Sequence, residues 1–396
     1  MSLSAYLSDD VINRLNRPTG KAIGLPAKLY TSEQFFAYEQ DYIFARGWVF
    51  AVTLDELEQP GTAVPVTIAG RPIVVVYDRK GTIRAFHNVC SHRGTKLVAE
   101  PCSRLSMLVC PYHSWGYSLS GDLKATPHIG GHGNNSHPDL KRSEHGLKPV
   151  RCEIWHRLVF INLSDEGPSL EEFVAPLVKR WPIDYSRLKL GGMKRFEFKA
   201  NWKLVVENFL ESYHLPWIHP GLNSYSRAED HYNIFVEPCG SGQASKNFAP
   251  GAVDGKLLPQ FPDIPSHLKG RAEYLNLFPN LMIGTHPTEF LAISVEPVAP
   301  NLTRERLYVF YLDEAVADAY DGVRNRSLES WFEINAEDID VVQRMQEGRR
   351  SPAMAGGLFA PDLEACLHHF QKQVANRILE GERMARNWNE ESVAAE

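Results

Sequence analysis

The sequence predicts an α+β protein of two domains, a small all-β domain followed by a larger one in which helices surround an antiparallel sheet. Three observations carry this. From about residue 50 the apolar residues alternate with period two through a series of hairpins. After residue 165 strand-like and helix-like stretches mix, and two long tracts, 328–349 and 361–389, hold helical periodicity. At 396 residues, with 43% hydrophobic and 23% charged residues, the chain has room for two packed cores.

In chain order, residues 1–45 form an N-terminal helical segment that packs on the larger domain. In "KLYTSEQFFAYEQDYIFARGWVF" a helix start at Thr31-Ser32 precedes aromatic residues at helical spacing. Residues 46–165 are the all-β domain. There "RPIVVVYDRKGTIRAF" reads as strand, Asp-Arg-Lys-Gly turn and strand, "YSLSGDLKA" as a further hairpin, and "RLVFINL" as the closing strand. The stretch between them holds His128, His132, His137 and His145, but no carboxylate or cysteine pattern accompanies them, and it reads as a solvated loop. Residues 166–396 are the larger domain. It opens with the amphipathic "PSLEEFVAPLVKRW", where Ser169 is the cap and Glu172 follows three residues on. "FLAISVEPV" and "LYVFYLDE" supply strands.

Composition excludes several classes. A formal charge of −6 leaves no basic field for nucleic acid. Acidic residues near the N-terminus and the lack of an apolar run of roughly 18 residues predict a cytoplasmic chain with no membrane partner. Six cysteines are too few for a disulfide framework at this length. "GSGQAS" at 240–245 lacks the third glycine and the strand-to-helix context of a dinucleotide fingerprint.

The chemistry is concentrated in two places. The first is "NVCSHRGTKLVAEPCSRLSMLVCPYHSW", with Cys90-x-His92 and Cys110-x-x-His113 separated by 17 residues. Zinc fingers space paired ligands by two to five residues, and Cys-x-His is too tight for that pattern. Two thiolates and two imidazoles suit a two-iron cluster in which histidines replace cysteines on one iron. Gly94 and Pro111 stand where such loops turn. With Arg93-Gly94 after the first pair, and Pro111, Tyr112 and Trp115 around the second, the motif resembles that of Rieske proteins. The resemblance implies Cys90, His92, Cys110 and His113 as ligands of a [2Fe-2S] cluster. Thr95 and Tyr112 stand where the respiratory branch has a bracing cysteine pair, so the oxygenase branch fits better. The expected potential lies at the low end of about −150 to +300 mV.

The second place is "NWKLVVENFLESYHLPWIHP", residues 201–220. Glu207, Glu211 and His214, at i, i+4 and i+7, share one face of a helix, and Pro216 breaks that helix so that His219 can converge with His214. Two histidines and a carboxylate make the facial triad of non-haem Fe(II) oxygenases. From the residues alone, Asp338 or Asp340 supplies the carboxylate, and Glu337 and Asp338 also read as partners of a helix N-terminus. The stretch resembles the catalytic domain of Rieske oxygenase α subunits, in N-W-K, E-N, an acidic residue three before the first histidine, and a distant acidic pair. The resemblance implies His214, His219 and Asp338 as ligands of a mononuclear Fe(II). It makes Glu211 the acidic residue that links the two metal sites between neighbouring subunits of a head-to-tail homotrimer. Glutamate at that position resembles the branch acting on choline, carnitine and betaines, where ring-hydroxylating dioxygenases mostly have aspartate.

The function expected from the resemblance is that of a terminal oxygenase. It would take electrons from a separate NAD(P)H-dependent flavin/iron–sulfur reductase and use O₂ to hydroxylate or oxidatively demethylate a small organic substrate, such as a quaternary ammonium or betaine. An aromatic ring hydroxylase and an electron-transfer protein with an inactive second domain are the alternatives. Phe209, Leu210, Tyr213, Trp217, Ile283 and His286 are candidate pocket residues, whereas Cys366, His368 and His369 read as structural.

Overall fold

The computed structural model describes residues 3–262 and 264–394, with side chains to residue 385; positions 1–2, 263 and 395–396 of the expected segments lie outside the described residues. Two compact units emerge, one of residues 44–170 and one of residues 1–43 with 171–396. No helix among the described residues is long and apolar enough to cross a membrane.

The smaller unit is all β. Strands β1 (Val49–Thr53), β2 (Ala63–Ile68), β3 (Arg71–Tyr77), β4 (Ile83–His87), β8 (Pro149–Trp155) and β9 (Leu158–Asn162) form an antiparallel sheet of order β1-β9-β8-β4-β3-β2. Strands β5 (Met107–Val109), β6 (Gly116–Ser118) and β7 (Leu123–Ala125) make a separate three-stranded sheet. The Asp-Arg-Lys-Gly turn forms between β3 and β4. There Asp78 Oδ1 accepts the N–H groups of Lys80 (2.8 Å) and Thr82 (2.9 Å), and Gly81 takes the left-handed conformation at φ +86°. Val74, Val76, Phe86, Leu108 and Tyr117 pack into one buried cluster together with Cys90 and Cys110. The two cysteines are therefore held from inside the core, while the residues that follow each of them lie on loops.

The larger unit is built on a seven-stranded antiparallel sheet. Its strands are β10 (Leu188–Phe198), β11 (His231–Val236), β12 (Gly240–Ser245), β13 (Ala272–Leu277), β14 (Leu281–Thr285), β15 (Glu289–Ala299) and β16 (Leu302–Leu312), in the order β10-β16-β15-β14-β13-β12-β11. The helices are α1 (Asp9–Leu15), α2 (Lys28–Thr31), α3 (Glu33–Glu39), α4 (Leu170–Arg180), α5 (Trp202–Phe209), α6 (Leu215–Ile218), α7 (Pro220–Asn223), α8 (Asp321–Gly348) and α9 (Ala365–Ala394). Helix α5 packs against α8, β15 and β16, and α9 against β11 and β12. "GSGQAS" is strand β12 and no nucleotide loop: a Cβ at Gly242 would stand 1.9 Å from the Tyr274 carbonyl oxygen on β13.

The Asn-Trp-Lys motif has a structural task. Asn201 caps α5 by accepting the Lys203 N–H (3.1 Å) and donates to the Pro300 carbonyl (2.9 Å). Trp202 Nε1 donates to Glu39 Oε2 (3.0 Å), and Lys203 Nζ pairs with Glu39 Oε1. Both partners of that ion pair are fully buried, and the Lys203 ammonium also donates to Asn201 Oδ1 (2.8 Å). The N-terminal segment, capped at Ser32 by a hydroxyl that accepts the Phe35 N–H (3.2 Å), is thereby tied to the start of α5. Breaking a buried pair leaves its partner uncompensated, at a cost of about 3–5 kcal/mol. Lys203→Met is expected to lower stability by about that amount in urea unfolding followed by tryptophan fluorescence, and adding Glu39→Gln is expected to restore most of the loss.

Candidate functional site

The two Cys/His loops of the smaller unit share one hydrogen-bond plan. The Cys90 N–H donates to the Thr95 carbonyl (2.9 Å) and Gly94 N–H to the Cys90 carbonyl (3.0 Å). In the second loop the Cys110 N–H donates to the Trp115 carbonyl (2.8 Å) and Ser114 N–H to the Cys110 carbonyl (3.0 Å). Gly94 (φ +75°) and Ser114 (φ +57°) occupy the same left-handed position in the two loops. Pro111 is not that residue, so the conformational constraint of the second loop falls on Ser114. The His92 and His113 rings come within 4.8 Å of each other, and His92 stacks on Trp115 at 4.7 Å.

Both sulfurs face donors. Burial pushes the Cys110 thiol up, but the backbone N–H groups of Tyr112 and His113, with hydrogen bonds from Cys90 and Thr95, outweigh it and hold its pKa below the ordinary value. Tyr117 Oη lies 3.2 Å from Cys90 Sγ and accepts the Ser91 N–H (3.0 Å). Burial pushes that phenol up to about 12, so it stays protonated and donates to the sulfur. Thiolates ringed by N–H and O–H donors fit an iron–sulfur cluster.

In the larger unit the expected single helical face over Glu207, Glu211 and His214 does not form. Helix α5 ends at Phe209. Glu207 points away from the histidines, accepting from Tyr30 Oη (2.6 Å) and Gln371 Nε2 (2.9 Å). Glu211 then competes with helical hydrogen bonding, because its Oε2 accepts the backbone N–H groups of Tyr213 and His214 (the latter 3.2 Å). Pro216 breaks no helix. It sits in the first turn of α6, where its missing N–H costs nothing, and His219 follows at the junction of α6 and α7.

The chain still brings the predicted groups together. His214, His219 and Asp338 each offer a ligand atom, all within 4.8 Å of one another. Asp338 lies in the middle of the 28-residue helix α8, not at a helix start. Asp340 is turned outward, paired with Arg344 at 2.8 Å, with its side chain 73% exposed. His214 Nδ1 lies 2.5 Å from Glu211 Oε1, and His219 Nδ1 lies 2.6 Å from Glu337 Oε2. A carboxylate on each Nδ1 fixes the proton there. Both Nε2 atoms are therefore lone pairs, and they face Asp338 Oδ1 at 3.7 Å (His214) and 3.0 Å (His219). That buried oxygen has no hydrogen-bond partner. With both imidazoles neutral, three acceptors converge there and fit a divalent metal ion. Burial lowers the His219 pKa, but hydrogen bonds and charge from Asp338 and Glu337 outweigh it and raise it, so the site draws positive charge.

Glu337 is the member of this constellation that sequence reasoning missed. The signal was its adjacency to Asp338, since consecutive residues of a helix diverge by about 100° and Glu337 can meet the other nitrogen of the same imidazole.

A cavity opens beside the three groups. Phe209 lines it as expected, with Tyr274, Met282, Trp331 and Glu305. The other pocket candidates fall elsewhere. Leu210 is buried in the core, Tyr213 and Trp217 are 53% and 76% exposed, and Ile283 is buried away from the cavity while its neighbour Met282 faces it. Strand alternation explains the last case. His286 stands behind the wall, stacked between Phe248 (4.5 Å) and the cavity-lining Trp331 (5.0 Å). Cys366, His368 and His369 take structural roles: Cys366 Sγ donates to the Gly242 carbonyl (2.8 Å), His368 Nε2 to the Leu15 carbonyl (2.6 Å), and His369 Nε2 lies 2.5 Å from Glu237 Oε1.

The profile of the family described as "Ring hydroxylating alpha subunit (catalytic domain)" matches residues 179–380, just over half of the chain. The chain belongs to this family. Residues 47–138 match the Rieske [2Fe-2S] domain, so this member of the family is an oxidoreductase with a Rieske cluster in one unit and a mononuclear iron in the other. The choline monooxygenase of Arabidopsis thaliana is 29% identical over 89% of this chain and 82% of its own length. The carnitine monooxygenase oxygenase subunit of Escherichia coli K12 is 27% identical over 84% and 86%. The glycine betaine monooxygenase oxygenase subunit of Chromohalobacter salexigens is 36% identical over 52% of this chain, and the match spans 45% of that relative. Among solved structures, the quaternary ammonium Rieske monooxygenase CntA in complex with L-carnitine shares the fold at a TM-score of 0.74 and 23% identity, covering 92% of this chain and 98% of that one. Naphthalene 1,2-dioxygenase with bound indole shares it at 0.72 and 21% identity, over 91% and 94%.

Removing a carboxylate that holds a metal-binding imidazole typically weakens metal affinity by about 10–100-fold. Glu337→Gln is expected to lose Fe(II) affinity within that range in anaerobic titration, with the visible spectrum of the [2Fe-2S] cluster unchanged.

Proposed function

We propose that this chain is the terminal oxygenase of a multi-component monooxygenase acting on an N-methylated quaternary ammonium compound. The observation that carries the substrate class is the lining of the cavity: beyond Glu211 and Asp338 of the metal site it holds Glu305 and the aromatic rings of Phe209, Tyr274 and Trp331, and no Lys or Arg. An anionic substrate finds no counter-charge there, whereas aromatic faces beside a carboxyl group suit a methylated cation. The relatives named for choline, carnitine and glycine betaine support the same reading.

In this reading Cys90, His92, Cys110 and His113 hold the [2Fe-2S] cluster, and His214, His219 and Asp338 hold the mononuclear iron. When bound, these groups supply single electrons and O₂ activation respectively. Two electrons and two protons reduce one oxygen atom to water while the other enters a C–H bond of an N-methyl group. The resulting N-hydroxymethyl cation loses formaldehyde and a proton, leaving a tertiary amine. The protein's own residues orient and exclude. Met282, Ile293 and Leu307, paired in one row across β14, β15 and β16, form an apolar floor that keeps water from the reacting methyl group. Trp331, fixed by donation from Nε1 to Glu289 Oε1 (2.8 Å), presents an aromatic face of the kind that attracts methylated ammonium groups.

The electrons come from a separate NAD(P)H-dependent flavin/iron–sulfur reductase, since the chain carries no nucleotide-binding motif of its own. The subunits assemble head to tail as a homotrimer in which Glu211, anchored on His214 Nδ1, reaches a cluster histidine of the neighbouring subunit. None of the six cysteines is paired in a disulfide, which suits the reducing cytoplasm, where such a reductase draws on the nucleotide pool.

Glu211→Gln is expected to retain both metal signals and lose most turnover, at least about 100-fold, because it removes the charge that holds the His214 proton and the link between centres. The check is EPR of the reduced protein, with and without nitric oxide, beside steady-state turnover of choline, carnitine and glycine betaine. Wild-type turnover in the variant would sink the bridging role, and an iron-replete wild type without an iron–nitrosyl signal would sink the oxygenase.

A further inference from the structure

Strand β16 runs through the interior of the larger unit with alternating burial, and the alternate positions Thr303, Glu305, Leu307, Val309 and Tyr311 are all buried. Four of those five suit a core. Glu305 does not: it is 2% exposed, beside Leu307 in the cavity wall, and its strand neighbours are Phe196 and Val295.

The other two carboxylates of the cavity belong to the metal site, Glu211 on His214 Nδ1 and Asp338 facing the two imidazole Nε2 atoms. Glu305 has a neutral partner, Asn335 Nδ2, which donates to Oε2 at 3.0 Å; among the described residues no cationic side chain pairs with it. A carboxylate buried against apolar neighbours without a counter-charge is costly. Burial, only partly offset by the Asn335 hydrogen bond and increased by the charge of Asp338, pushes the Glu305 carboxyl up to about 8. Glu207, also buried among neutral partners, has two donors and lies outside the cavity; for Glu305, with one donor, the core offers little reason to retain the group. A binding position has one if the counter-charge arrives with the ligand.

We propose that Glu305 is the substrate-binding residue that reads charge, its carboxylate serving as counter-ion to the quaternary ammonium of the bound substrate. This rests on the quaternary ammonium reading above. Asn335, one helical turn before Asp338 on α8, holds the carboxylate in the cavity wall that Asp338 also lines, which places cation recognition and iron binding in one pocket. A quaternary ammonium cannot donate a hydrogen bond, so the attraction is that of an unscreened charge in an apolar wall, supplemented by the faces of Phe209, Tyr274 and Trp331. Glu305 thus decides which ligands enter by charge, while the apolar floor is indifferent to it.

The test is calorimetric titration of anaerobic, metal-loaded protein, in which nothing turns over. The ligands are choline, glycine betaine and carnitine, each beside the analogue in which carbon replaces the quaternary nitrogen. Wild type is expected to bind at least one of the three more tightly than its carbon analogue. Glu305→Gln is expected to weaken that ligand by at least about 30-fold and its carbon analogue by less than about threefold. Equal weakening of both ligands, or no weakening of the cation, would overturn the role of Glu305 while leaving the quaternary ammonium reading intact. Failure of wild type to bind any of the three would overturn that reading and the inference with it. If the Gln variant does not fold, Glu305→Asp, which keeps the charge but withdraws it by one methylene, is expected to weaken the cation selectively by about tenfold, and an unselective loss would again overturn the proposal.

Discussion

Two protons, one on the Nδ1 of His214 and one on the Nδ1 of His219, organise the centre of this protein. Glu211 holds the first at 2.5 Å and Glu337 the second at 2.6 Å. With those protons in place both Nε2 atoms are lone pairs, and they point at the unpaired Oδ1 of Asp338. Such an arrangement turns its acceptors toward one point, and so these three groups fit a metal ion. Much of the local architecture serves these two contacts. Helix α5 must stop at Phe209 so that Glu211 can turn back onto His214, and α8 must run unbroken past Glu337 and Asp338 so that neighbouring residues meet His219 from two sides.

Negative charge recurs in the interior of the larger unit, and each instance has a different resolution. Glu39 is neutralised by Lys203 and joins the N-terminal segment to α5. Glu273 accepts from Arg180 and from Trp181 Nε1, and Glu289 from Ser327 and Trp331. Burial would raise the Glu289 pKa, but hydrogen bonds and charge from His286, with donors on Ser327 and Trp331, hold it below the ordinary carboxylate value. Glu305 has only an amide. This contrast separates structural carboxylates from one that awaits a partner. In the structural cases the protein itself provides the counter-charge or a full set of donors.

Some parts of the fold and site were legible in the sequence because they depend on short-range patterns. The β3–β4 turn, the cap at Ser32 and the paired Cys/His loops are each written within a few residues, where backbone preference and ligand type suffice. The pocket was not. Of its six candidates only Phe209 lines the cavity, because proximity in sequence to His214 says nothing about which side of a turn faces inward, and Tyr213 and Trp217 face out. On β14 a register of one residue separates Ile283 from Met282.

By itself, the sequence determined the chemistry of both metal centres: two cysteines and two histidines at spacings suited to a two-iron cluster, and a histidine pair with a distant acidic pair suited to mononuclear iron. Tertiary structure alone decided which acid of the 337–340 stretch faces the two histidines and which ones stand beside it. Helical geometry sends Asp338 inward, gives Glu337 to His219 and turns Asp340 to Arg344 at the surface. It also decided that Glu305, one acid among many in the chain, stands in the cavity. Burial and the identity of a neighbour are properties of packed strands and helices, and no local pattern encodes which wall a buried side chain will face.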